Sequence, residues 1–170
     1  ALAMPAEKSV TQEDGTLVIF SGRSEESVGP LYKMFETRTG IDVTVHYEKT
    51  PAMADRLHTE GAQSPADIFF AQDSGYLGAL AEADLLQPLP SGLSSRVTGD
   101  MVGRDNHWVA TSGRMRVLVY STDRVAKADL PTTLFELADP KWKDHLGWAP
   151  SNSSFQTHVS ALLATWGEDK

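Results

Sequence analysis

Leu17-Val18-Ile19-Phe20 is a run of four apolar residues closed by Gly15 on one side and Ser21-Gly22 on the other. A strand with one wet face alternates apolar and polar residues. One with no polar position at all is covered on both faces, which points to the interior of a parallel sheet flanked by helices. The following segments supply the covering elements. Leu31, Met34 and Phe35 recur at helical spacing and Gly40 is a C-terminal stop, while Pro30 limits where that helix can begin, proline being tolerated in a first turn. Ile41, Val43, Val45 and Tyr47 then alternate with Asp42, Thr44 and His46, the period of a strand. Thr50-Pro51 predicts an N-cap and first-turn proline for a helix running through Leu57 to a stop at Gly61. A strand is expected over 66–70, and Asp73 or Ser74 caps a helix carrying Leu77, Leu80 and Ala81. Residues 88–95 read as irregular. Strands are expected at 108–111, 115–120 and 146–149, with a helix from Pro131 to Leu137 ended by Asp139-Pro140 and a last helix over 154–166. Such alternation predicts an α/β protein with a mostly parallel sheet.

Composition narrows the chemistry. Fifteen Lys+Arg against 23 Asp+Glu give a net charge of −8, with no basic cluster, which argues against nucleic acid as a partner. There are no cysteines, so disulfides, thiolate metal sites and a cysteine nucleophile are all excluded. No apolar run approaches the ~20 residues of a transmembrane segment. Residues 1–15 lack periodicity and read as a disordered leader, and the last helical pattern runs straight into Gly167-Glu168-Asp169-Lys170, as expected for part of a longer protein.

In open α/β sheets ligands bind beyond the carboxyl ends of strands, where helix N-termini present free N–H groups. Three segments join a strand end, small polar residues and a helix start: Ser21-Gly22-Arg23-Ser24, Ala71-Gln72-Asp73-Ser74 and Ser151-Asn152-Ser153-Ser154. Each alone reads as a simple cap; together they predict a polar ligand cleft. Arg23 offers a planar fork suited to carbonate, phosphate or a carboxylate, the plain alternative being a surface pair with Glu25 or Glu26. The five histidines have no metal-ligand spacing, and no Gly-x-Ser-x-Gly elbow is present, which disfavours a hydrolase using Ser24 or Ser153 as nucleophile. Trp108, Trp142, Trp148 and Trp166 are expected in the core, and Tyr76 and Tyr120 as packing residues.

Several strings, taken in order, resemble the ferric-binding proteins, a subfamily of bacterial periplasmic solute-binding proteins that feed ABC importers. They are Val18-Ile19-Phe20-Ser21-Gly22-Arg23, Phe35-Glu36-Thr37-Arg38-Thr39-Gly40-Ile41-Asp42-Val43, Ser64-Pro65-Ala66-Asp67-Ile68-Phe69-Phe70, Trp108-Val109-Ala110-Thr111-Ser112-Gly113-Arg114, Val117-Leu118-Val119-Tyr120, Pro140-Lys141-Trp142-Lys143 and Leu146-Gly147-Trp148-Ala149-Pro150. The resemblance implies a type II-like periplasmic-binding-protein fold: a first α/β lobe over 16–111, an inter-lobe crossing over 112–122 and the start of a second lobe over 123–170. It implies cleft closure on ferric iron held with a carbonate or phosphate anion, an extracytoplasmic location and an ABC permease as partner. Ferric ions want oxygen donors. The family's paired tyrosine ligands would lie beyond Lys170, and its first-lobe His and Glu positions align with Ser24 and Gln72, both weak ferric ligands. Predicted ligand or anion contacts are therefore Gly22, Arg23, Ser24, Gln72, Asp73, Asn152, Ser153 and Ser154. The alternative on the same fold is a receptor for an organic or phosphate-containing anion, thiamine or a polyamine.

Overall fold

The computed structural model describes residues 15–168, so the expected leader lies, apart from Gly15, outside the described residues. Three parallel strands form the sheet: β1 (Thr16–Ser21), β2 (Asp42–Tyr47) and β3 (Ile68–Phe70), in the spatial order β2-β1-β3. The apolar run is the central strand. Its register sets Ile19 opposite Val45 and Ile68, and Phe20 opposite His46 and Phe69. Because side chains alternate across a strand, Ile19 and Phe20 enter different cores. Ile19 packs with Val28 and Tyr32 of α1 (Glu25–Thr39) on one face. Phe20 packs with Met53, Ala54 and Leu57 of α2 (Thr50–Glu60) and Leu80 of α3 (Ser74–Glu82) on the other. The double coverage predicted from the sequence is what the structure shows.

Some expectations about the helices need correction. The covering stripe of α1 is Val28 and Tyr32, while Leu31, Met34 and Phe35 are exposed, since one helix lying on a short strand buries only the residues one turn apart that face it. Pro30 sits inside α1, not in its first turn, so the helix begins earlier than the proline suggested and forgoes one backbone bond. Thr50 is the first residue of α2 and not its cap; its hydroxyl serves another purpose, described below.

The second part of the chain departs further. No strand forms at 115–120 or 146–149, and 108–111 contributes only a single antiparallel bridge, Val102 to Val109. A strand exists by virtue of a ladder partner, and these segments have none; Met115, Val119 and Trp148 are 88%, 90% and 73% exposed. The helix expected from Pro131 shrinks to one 3₁₀ turn, Phe135–Ala138, because the Glu136 carboxylate accepts from Thr132 N and from both the Thr132 and Thr133 hydroxyls, and Pro140 follows at once. Within 88–95 a single helical turn, α4 (Ser91–Ser94), does form. None of the four tryptophans is buried: Trp166 stacks on Phe135 and Trp148 meets Phe155 edge-on, at the surface. The last helix, α5 (Ser153–Trp166), matches its prediction to within one residue.

Candidate functional site: a cleft at the strand ends

Strand order β2-β1-β3 sends the chain from β1 one way to β2 and then back across β1 to β3. The tips of β1 and β3 are therefore neighbours, and the loops leaving them diverge, which is the switch point where α/β sheets bind ligands. Gly22 N donates to Phe70 O at 2.8 Å, extending the ladder to the last residue before the loops part.

Three hydroxyls fix those loops. Ser21, wholly buried, donates to Arg23 O at 3.0 Å and accepts from Arg23 N at 3.2 Å, bending the backbone after β1. Tyr32 OH donates to the same Ser21 oxygen, and burial pushes this phenol's pKa up. Thr50, 2% exposed, accepts from Gln72 N at 3.1 Å and donates to Gly22 O at 3.4 Å, tying the first loop to the second. The approach is so close that a methyl group at Gly22 would collide with Thr50 Oγ1. Ser21 and Thr50 were not among the predicted site residues.

The third loop is built locally. Asn152 Oδ1 accepts from Phe155 N at 3.1 Å and from Ser154 Oγ at 2.7 Å, capping α5, and Arg116 Nη2 donates to Ser154 Oγ at 3.1 Å. Asp73 caps α3 by accepting from Gly75 N at 3.2 Å.

An open cleft of about 1890 Å³ runs between these loops. Of the predicted residues it brings together Arg23, Gln72, Asp73, Asn152 and Ser154. Gly22 and Ser24 are not on its lining; Ser24 Oγ pairs with Ser27 Oγ at 2.8 Å. The Ser153 side chain is buried, 4% exposed, so its hydroxyl does not reach the cleft. Arg114 and Arg116 join Arg23 on the lining, and neither was singled out from the sequence as a contact. The ion pairs among the described residues are Lys33–Glu36 and Arg56–Glu60, so the expected alternative for Arg23, a pair with Glu25 or Glu26, does not form. Among the described residues no three His, Asp or Glu side chains are grouped to hold a metal ion. This lining carries three guanidinium groups with amide and hydroxyl donors, beside the carboxylates of Asp67, Asp73, Asp84 and Asp100; the guanidinium and hydroxyl groups at the loop tips are the part suited to an anion.

A parallel sheet with a donor-lined cleft at its switch point is the framework of a solute-binding receptor. The chain belongs to the bacterial extracellular solute-binding proteins, whose family model matches residues 31–170. It is 34% identical over 170 residues to the major ferric iron-binding protein of Neisseria meningitidis serogroup B, covering 99% of this chain and 51% of the relative. Iron-bound HitA from Pseudomonas aeruginosa superposes with a TM-score of 0.87 at 30% identity, over 91% of this chain and 50% of that one. A Trichodesmium protein, IdiA or FutA, in complex with iron and citrate gives a TM-score of 0.74 at 30% identity, over 90% of this chain and 49% of that one. The chain thus spans about half the length of the relatives it matches, and its fold is of the type II periplasmic-binding-protein kind.

Proposed function

We propose that the chain is part of an extracytoplasmic receptor that captures ferric iron together with an anion and hands it to an ABC permease. The observation that supports this best is the placement of Arg23, Arg114 and Arg116, none ion-paired among the described residues, on one cleft with the capped N-terminus of α5. These residues address the anion; Arg23 and Gln72 contact it from one side and Asn152, Ser154 and Arg116 from the other. Ferric iron itself would take oxygen donors from the anion and from groups outside the described residues, since Ser24 and Gln72 are poor ferric ligands. Ligand touching both sides adds to the contacts already joining the two walls and so favours the closed state. The kinship with binding proteins supports a carrier and not an enzyme, and the two serines considered as nucleophiles are engaged or buried.

The same donors also suit an organic or phosphate-containing anion without metal, and one titration separates the readings. Calorimetry with ferric citrate, citrate alone and phosphate should show the ferric complex binding at least tenfold more tightly than either free anion. Equal affinity for citrate with and without iron would replace the ferric reading with the anion receptor. Arg23→Gln should weaken whichever ligand binds, by about 10-fold or more for loss of a charge-assisted contact.

A further inference from the structure

The two walls of the cleft meet along a seam between α3 and α5, and polar contacts join them. Thr157 Oγ1 donates to Asp73 Oδ1 at 3.0 Å, the same oxygen that accepts the Gly75 N–H. Tyr76 OH donates to Gln156 Oε1 at 3.4 Å beside it. The helices come this close because position 75 has no side chain: a methyl group there would stand 2.8 Å from Thr157 Oγ1. Asp73 Oδ2 is buried with no hydrogen-bond partner, an expensive arrangement for a residue whose capping duty a serine would discharge without charge. What Asp73 adds to the cap is a second bond on the same Oδ1, from a hydroxyl 84 residues away, which the shorter serine side chain would not reach while capping.

We infer that Asp73 and Thr157 are positioning residues that latch α3 to α5 and so set the spacing at which a ligand touches Gln72 on one wall and Asn152 and Ser154 on the other. The consequence for ligand affinity rests on the function proposed above; the spacing of the walls does not. Asp73 acts on the ligand through this geometry, not through its own charge.

The chain has no cysteines, so E82C and A164C place a clean pair of spin labels on exposed positions of α3 and α5. Pulsed dipolar spectroscopy should give one narrow distance distribution for the parent, and a broader, longer one for T157V and D73A. D73N should stay with the parent in distance, because its Oδ1 still accepts from Thr157 and Gly75. Affinity for ferric citrate should fall about 5- to 10-fold in T157V and D73A and stay within twofold in D73N. T157V leaves the α3 cap intact, so its result stands even if D73A unfolds. Unchanged distances in T157V, or D73N behaving like D73A, would overturn the latch. If the distances respond as expected and the parent does not bind ferric citrate, the latch stands and the proposed function fails.

Discussion

Thr50→Val isolates the work of one hydroxyl. Valine has nearly the same shape as threonine, so no cavity opens at a position only 2% exposed. What disappears is an acceptor 3.1 Å from Gln72 N and a donor 3.4 Å from Gly22 O. The second bond is long and contributes little. The first is a good bond whose loss leaves a half-buried N–H unsatisfied, and such a group costs about 1–3 kcal/mol, with the lower end favoured by water reaching Gln72. A loss of about 1–2 kcal/mol, at a urea slope of about 2 kcal/mol/M, moves the unfolding midpoint down by about 0.5–1 M with the slope unchanged. Thr50→Ser keeps the hydroxyl and gives up one buried methyl, about 1 kcal/mol. The Gln72 amide should exchange faster with solvent in the valine variant and not in the serine one. A valine variant within about 0.3 kcal/mol of the parent, or an unchanged Gln72 exchange rate, would refute the claim that this hydroxyl joins the two loops.

Gly22→Ala should destabilise by about 1–3 kcal/mol in the same assay, because the new methyl collides with Thr50 Oγ1 and approaches its Cα backbone atom at 3.1 Å. Val119→Thr, at 90% exposure, should change the stability of this chain by less than about 0.5 kcal/mol, whereas Val28→Ala removes two buried methyl groups from the α1 core and should cost about 1–3 kcal/mol. Three carboxyls are held below the usual range: Glu36 by the Val43 N–H and Lys33, Glu60 by Arg56, and Glu136 by the Thr132 N–H and hydroxyl. A lowered folded pKa means that the unfolded chain binds protons first, so their contribution is present above about pH 4.3 and is lost as pH falls through the folded values. Midpoints should be flat from pH 7 to about 5 and drop below that. On the alkaline side the raised Tyr32 phenol works in reverse, its contribution being whole below about pH 10 and lost above it.

What the sequence made legible follows from how local the signal is. The apolar run at 17–20 announces a doubly covered strand because all four residues say the same thing, and the structure gives it helices on both faces. Gly40 and Gly61, both at positive φ, end their helices where expected, since backbone conformation there is decided by a single residue. The strand patterns at 115–120 and 146–149 are just as strong locally, yet they form nothing, because β-propensity records fitness for a ladder and cannot supply one. A helix has its hydrogen bonds inside its own segment, so pattern places it more readily than a strand, whose bonds belong to a partner, although the helix expected from Pro131 shows that even there a local competitor can win.

The same distinction governs the site. Asn152 was legible because a cap satisfies N–H groups two and three residues on, inside the window that sequence spacing reads. Thr50 meets Gln72 and Gly22 at separations of 22 and 28 residues, and Thr157 meets Asp73 at 84; no spacing rule reaches that far. Thr50 even looks like the cap of its own helix, because a threonine before proline fits that pattern and nothing nearby reveals a competing partner, whereas the cap is Lys49. The arginines show the complementary limit. A guanidinium interests a ligand when it is not paired, and that is a property of everything around it. Arg23 could be suspected from its place after a strand, whereas Arg116 lies in an expected strand and Arg114 in the link before it, and both become candidates only when the fold puts them on the cleft without a carboxylate partner. Strand ends and caps can therefore locate a binding cleft from sequence, but the residues that hold its walls in place come from long-range pairs, and these are where variants of this chain are most informative.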